Sequence, residues 1–321
     1  MEQARLLADI GGTNARFAWQ AQAGAPIVDV ATLPCAAYAG LEDALREILR
    51  RLGRPAPKRC AIAIANPVLG DQVRMTNHHW TFSISALQAR FGFEQLKVLN
   101  DFTALALALP DLQPDELRQL GGDAAQPDAP IALIGPGTGL GVSGLLPDGR
   151  GGHVALAGEG GHVTLAVCAS REQQVLAQLA RRHGHVSAER AVCGQGLVDL
   201  HAALGTIDAP GDVAPALTAA DITAAALAYS DARCVEALNL FCAFLGTVAG
   251  NLALTLGARG GVYLGGGIPP RLGRFLDASP FRERFEAKGR FRAYLAAVPV
   301  FVIQACQSPA LRGAARALDG A

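Results

Sequence analysis

Along the first hundred residues, apolar positions recur in two rhythms. Residues 5–10 form a short apolar run that carries Asp9, and residues 16–19 form a second run beyond a glycine-rich turn. Residues 27–33, 60–65 and 96–99 read as further strands, the middle one small and apolar enough to be buried. Between them, Leu41, Leu45, Ile48, Leu49 and Leu52 repeat at helical spacing and share one face. From Asp101 the pattern is helical through Leu109, where Pro110 ends it.

The stretch 121–130 (GGDAAQPDAP) is poor in core-forming residues and reads as a loop, which sets a boundary near residues 110–130. Beyond it the strand pattern restarts at 131–134, 142–146 and 153–156, with a glycine-rich turn after the first and a Pro-Asp-Gly turn after the second. Helical stretches follow at 171–183 and 231–256, then a strand at 262–264 leading into three glycines. A last strand at 298–303 and a last helix at 309–318 complete the pattern. Asp9-Ile-Gly-Gly-Thr-Asn and Gly135-Pro-Gly-Thr-Gly-Leu-Gly each join two short strands and each open a half of the chain. This weak repeat predicts two α/β halves built alike, with a cleft between them.

Composition narrows the function classes. Half of the 321 residues are hydrophobic and 17% are charged, enough for two packed cores and too apolar for a disordered chain. Twenty-eight basic residues balance 28 acidic ones. With no basic excess or dense basic patch, neither a nucleic-acid nor a membrane partner is expected. Seven scattered cysteines contain no C-x-x-C pair, which predicts reduced thiols rather than a disulfide framework or a cysteine-based zinc site. The start of the chain lacks the pattern of a signal peptide, and a cytoplasmic location is expected. Residues 237–258 hold no charge and are long enough to span a bilayer. Their asparagines, threonines and glycines predict instead a buried core helix, with Gly246 and Gly250 admitting close neighbours.

Glycine and threonine between two strands let backbone N–H groups approach a phosphate where no Cβ intervenes. One such turn alone reads as an ordinary hairpin; three, at Gly11-Gly12, 135–141 and Gly265 to Gly267, point to a nucleotide. Gly139 to Gly144 formally matches G-x-G-x-x-G, but Leu145-Leu146-Pro147-Asp148-Gly149 follows and cannot open a helix. The chain has three lysines (Lys58, Lys97, Lys288), and none stands in a Walker position. Phosphate charge must then be met by Mg²⁺ and backbone dipoles, with Asp9 as a partner for Mg²⁺ or its water shell.

DIGGTNAR, GPGTGLGV and VYLGGGI resemble the two phosphate motifs and the adenosine motif of the sugar kinase, actin and heat-shock ATPase superfamily. NDFTALALALP, GEGGHV, HVSAER, MTNHHW and KGRF are similar to the bacterial glucokinase family, over residues from about 5 to 315. The resemblance implies an α/β fold of two actin-like (ribonuclease H-like) domains, with mixed sheets flanked by helices and an interdomain cleft. The small domain would be 1–110 completed by about 300–321, and the large one 111–299. The implied reaction is phosphorylation of glucose at its 6-hydroxyl by ATP with Mg²⁺, by a cytoplasmic homodimer.

The same resemblance assigns the residues. Asp101 is the expected base and, with Asn100, Glu159, His162 and Glu189, a sugar ligand. Asp9, Gly11, Gly12, Thr13, Asn14, Gly137, Thr138, Gly139, Gly265, Gly266 and Gly267 are the expected nucleotide contacts, with Asp9 holding Mg²⁺ through water. On the residues alone, Asp101 reads equally well as the cap of the helix that follows it, and the Gly158 to His162 stretch as a surface loop. His183, His185 and Cys193 could be metal ligands, but one cysteine without a cluster makes zinc the poorer reading. Asn66-Pro67 departs from the family pattern. Kinases of mannose or of an amino sugar are alternatives, as is a non-enzymatic sugar-sensing regulator. The regulator would call for a helix-turn-helix extension or a lost base, and an actin-like or chaperone-like ATPase would not need the sugar-loop residues.

Overall fold

The computed structural model describes residues 3–76, 78–211, 216–305 and 308–320. Asn77 of the MTNHHW motif and Cys306 lie outside the described residues. The chain divides into two compact units, one of residues 1–113, 148–157 and 305–321, the other of residues 114–147 and 158–304.

The first unit is built on a sheet of order β3-β2-β1-β4-β7. Its strands are β1 (Arg5–Ile10), β2 (Asn14–Gln20), β3 (Ile27–Pro34), β4 (Arg59–Ile64) and β7 (Gln95–Asn100). The pairs β1–β2 and β2–β3 are antiparallel, whereas β1–β4 and β4–β7 are parallel. A separate small hairpin, β5 (Gln72–Arg74) and β6 (Thr81–Ser83), precedes helix α2 (Ile84–Phe91). There Trp80 donates its indole N–H to the Tyr38 carbonyl at 3.1 Å and packs edge-on against His78, so this His-His-Trp stretch serves packing.

All six residues of β1 are buried, as a central strand covered on both faces requires. Successive side chains point to opposite faces. Leu6, Ala8 and Ile10 join the core of Leu41, Leu45 and Ile48 from α1 (Leu41–Leu52). Leu7 turns the other way, to Leu311, Ala314 and Leu318 of the last helix, α12 (Pro309–Leu318). Arg5 shares that face: buried to 1% exposure, it is held by Asp319 and by the Ala315 carbonyl. Asp9 belongs to the same face, which decides its partners below.

Helix α12 also packs on α3 (Asp101–Ala108). Gly313 makes this possible, because a Cβ there would stand 1.6 Å from the Ala104 carbonyl oxygen. Residues 148–157, expected in the second domain, group with the first unit, where β11 (His153–Ala155) lies against α3.

The second unit holds the run β10-β9-β12-β13-β8. Strands β9 (Ile131–Pro136) and β10 (Leu140–Pro147) form an antiparallel hairpin, β12 (Val262–Leu264) runs parallel to β9, and β13 (Val300–Ile303) parallel to β12. β8 (Leu117–Gln119) is antiparallel to β13. The terminal strand was expected to complete the first domain; its register on β12 (Val262 opposite Val300) places it in this sheet instead.

Helices α4 (Ser170–His183), α5 (Gly194–Asp208), α6 (Ala219–Leu227) and α7 (Ala232–Leu256) share one core with these strands. The sequence pattern shows α4 and α7 but not α5 or α6. α5 opens Gly-Gln-Gly, and α6 is alanine-rich with little polar contrast. Short helices α8 (Pro269–Leu272), α9 (Arg274–Ala278), α10 (Phe281–Glu286) and α11 (Arg292–Ala297) follow. α7 is long and apolar enough to cross a membrane by length and composition, and it is mostly buried within the protein. As expected, Gly246 and Gly250 admit a neighbour: Cβ atoms there would lie 2.2 and 2.5 Å from the Phe281 and Phe285 carbonyl oxygens of α10.

In an open helix, Gly→Ala stabilises by about 0.5–1 kcal/mol. At Gly313 the added methyl has no room, and Gly313→Ala is expected to destabilise by about 1–3 kcal/mol through overpacking. Chemical denaturation followed by circular dichroism checks the sign; a midpoint that rises would show that α12 and α3 are not in close contact.

Candidate active site

In the first unit, the hairpin of β1 and β2 closes over Gly11 to Thr13. The Gly11 N–H donates to the Asn14 carbonyl at 2.9 Å, and Thr13 and Asn14 are exposed at the tip. Cys35, directly after β3, braces the turn: its N–H donates to the Thr13 carbonyl (2.8 Å) and its thiol to the Gly11 carbonyl (3.4 Å). Burial pushes that thiol's pKa up, keeping it a protonated donor.

Asp9 precedes the turn and is 9% exposed. Its Oδ2 accepts from Ser308 Oγ at 2.7 Å and from the Arg16 guanidinium at 3.2 Å. A buried carboxylate with one oxygen so oriented is a group that could hold a hard cation through its other oxygen. One carboxylate suits Mg²⁺, which keeps several of its waters. Ser308 and Cys35 lack any sequence signal: Ser308 is 299 positions from its partner.

At the same end of this sheet, where Ile10 aligns with Ile64 and Ile64 with Asn100, Asn100 caps α3. Its Oδ1 accepts from the N–H groups of Phe102 (2.9 Å) and Thr103 (3.2 Å), and its Nδ2 lies 3.5 Å from the Asn66 carbonyl. The capping role that Asp101 could have filled thus belongs to its neighbour. Asp101 is the first helical residue, with Oδ1 accepting the Phe102 N–H at 2.9 Å, at the helix end that favours negative charge. Asn66 is structural: its amide donates to the Pro67 carbonyl and its Oδ1 accepts the Thr76 N–H.

In the second unit, the hairpin of β9 and β10 turns at Gly137-Thr138-Gly139, closed by Gly137 N–H to Gly139 O at 2.8 Å, with Thr138 exposed. The triple glycine lies against it. Gly266 has a left-handed backbone (φ 77°), and a Cβ there would meet the Pro136 carbonyl at 2.3 Å. Gly194, the first residue of α5, donates to the Gly137 carbonyl at 2.9 Å. The Leu140 N–H donates to Glu189 Oε2 at 2.9 Å.

Glu159 precedes a turn of 3₁₀ helix and His162 is its last residue; both are exposed. The glycines between them serve packing. A Cβ on Gly161 would stand 2.1 Å from the Leu140 carbonyl oxygen, and one on Gly160 2.7 Å from Val142 Cγ1. The loop then pairs with the segment before Glu189, through Leu165 N–H to Val186 O and Ala188 N–H to Val163 O. Glu189 and the two glycines between Glu159 and His162 are therefore packed on the first residues of β10.

The residues weighed as metal ligands have other work. His183 bonds Asp199 (2.9 Å), His185 bonds Thr164 (3.0 Å), and Cys193 caps α5, its Sγ accepting the Gly196 N–H. His201, Asp231 and Cys234 do gather their ligand atoms within 4.8 Å of one another. There Asp231 already caps α7, and Arg233 adds positive charge.

Gly161→Ala is expected to displace the 158–162 loop and cost about 1–3 kcal/mol by overpacking. Thermal unfolding and near-ultraviolet circular dichroism check it, and an unchanged Tm and spectrum would contradict the close contact with Leu140.

Compared with known proteins, residues 6–321 match the profile of the Glucokinase family. The chain is 55% identical to the glucokinase of Chromobacterium violaceum over 311 residues, covering 97% of this chain and 88% of that one. It is likewise 55% identical to the glucokinase of Aromatoleum aromaticum over 318 residues, covering 99% and 95%. The crystal structure of glucokinase from an Antarctic psychrotroph superimposes with a TM-score of 0.89 at 37% identity, covering 100% of both chains.

Proposed function

Because the chain belongs to the glucokinase family, we propose that it transfers the γ-phosphate of ATP to the 6-hydroxyl of glucose. The observation that carries this reading lies on one strand. The first residues of β10 follow a glycine turn suited to phosphate, and they also hold Glu189 and the glycines that link Glu159 to His162, the polar set suited to sugar hydroxyls. A protein that only hydrolysed ATP would have no use for that second set.

The chemistry asks little covalent work of the protein, since phosphoryl transfer runs through a loose transition state that needs positioning and charge stabilisation. Gly11 to Asn14 and Gly137 to Gly139 offer backbone N–H groups and the hydroxyls of Thr13 and Thr138 to phosphate oxygens. Gly265 to Gly267 leave a Cβ-free surface for the nucleoside. Mg²⁺, held by Asp9 through water, would supply the positive charge that lysines supply elsewhere; Lys288, for one, is spent on the Thr247 carbonyl.

Asn100, Glu159, His162 and Glu189 hold the sugar hydroxyls. Asp101 orients the attacking hydroxyl and takes its proton late in the transfer. Ser308 and Arg16 fix the orientation of Asp9.

Asp101→Asn tests the assignment. It should lower kcat by roughly 10²–10⁴-fold, measured by coupling glucose 6-phosphate formation to a dehydrogenase, while glucose affinity by calorimetry stays within a few-fold. A variant with near wild-type kcat would show that Asp101 is not the base.

A further inference from the structure

Glu189 is joined to the phosphate turn more closely than a pure sugar ligand needs to be. Its Oε2 accepts the N–H of Leu140, the residue directly after Gly137-Thr138-Gly139. A Cβ on Gly139 would stand 2.5 Å from that same oxygen, so the carboxylate rests against the turn itself. Five residues later the same segment touches the turn again, where Gly194 donates to the Gly137 carbonyl. The turn is thus held between Glu189 on one side and the start of α5 on the other. The charge of Glu189 is felt nearby: burial raises the pKa of the Cys193 thiol, and the Glu189 carboxylate adds to the rise.

We infer that Glu189 couples the two substrates, so that sugar bound to its carboxylate tightens the binding of nucleotide phosphates at the adjoining turn. This rests on the reading of Glu189 as a sugar ligand given above. Two physical effects act in the same direction. A carboxylate has about four acceptor positions, of which Leu140 takes one. Sugar hydroxyls donating to the others disperse a negative charge that otherwise repels phosphate. They also fix the carboxylate's orientation, and with it the Leu140 N–H and the turn, so less conformational freedom is left for the nucleotide to remove. Linkage requires the effect to be reciprocal: nucleotide must tighten glucose by the same factor.

The test measures dissociation constants by calorimetry for a non-hydrolysable ATP analogue with Mg²⁺, without and with saturating glucose, in the wild type, Glu189→Gln and Gly139→Ala. In the wild type, glucose should tighten the analogue by about 5–100-fold, the usual range of such couplings. Glu189→Gln should weaken glucose and bring the ratio of the two analogue constants to within twofold of one. Gly139→Ala, whose methyl presses on the carboxylate, should weaken glucose from a position inside the phosphate turn. Near-ultraviolet circular dichroism shows which variants are folded, and the nearly isosteric Glu189→Gln decides the matter if Gly139→Ala is not. If Glu189→Gln leaves glucose affinity unchanged, the sugar-ligand reading fails, and the coupling with it. If glucose weakens but the analogue ratio stays at its wild-type value, or if the wild type shows no ratio, Glu189 is a sugar ligand only and the coupling is overturned.

Discussion

The second unit depends on backbone segments approaching the end of the β9–β10 hairpin more closely than any side chain would allow. Gly266 is pressed on the Pro136 carbonyl, Gly161 on the Leu140 carbonyl, and Gly139 on the Glu189 carboxylate. A Cβ at any of the three would lie 2.1–2.5 Å from an oxygen atom. These contacts bring the triple-glycine turn, the 158–162 loop and the segment around Glu189 together on five residues of chain. Gly139, Gly161 and Gly266 are therefore packing positions, whereas a Cβ at Gly137, Gly158 or Gly267 would meet nothing within 4 Å.

A different constraint governs the first unit. Strand alternation sends Arg5, Leu7 and Asp9 to the face covered by α12, and Leu6, Ala8 and Ile10 to the face covered by α1. The last helix can reach that face because Ala61 and Ala63 on β4 are small and Gly313 lies flat on α3. Its arrival anchors the buried Arg5 through Asp319 and places Ser308 on Asp9. The proposed metal-holding carboxylate is thus set in place by residues at the opposite end of the chain.

Much of this was legible in the sequence wherever a strong period or a glycine cluster marked it. The runs that became β1, β9 and β12 were readable, and so were α1 and α7 and the three glycine turns. What stayed hidden has identifiable causes. α5 begins with two glycines in three residues, which mask the helical spacing of Leu197, Leu200, Leu204 and Ile207 behind them, and α6 is mostly alanine. β13 carries no mark of which sheet it joins, since that is settled by register on a strand almost forty residues away. Asn100 and Asp101 are both good caps, and only geometry shows that Asn100 takes the role. The bonds from Ser308 to Asp9 and from Leu140 to Glu189 join positions that no local pattern relates.

The proposed reading, in which a phosphate turn and part of the sugar-binding set meet at the start of β10, implies that ATP is consumed only with transfer to the sugar. Product stoichiometry tests this most directly: the chain is supplied with ATP, Mg²⁺ and glucose, and ADP and glucose 6-phosphate are quantified together, with a parallel reaction lacking glucose. One glucose 6-phosphate per ADP, and ADP formation that falls to a small fraction without the sugar, is the expected result. ADP released at the same rate with and without glucose, and no sugar phosphate formed, would contradict the account.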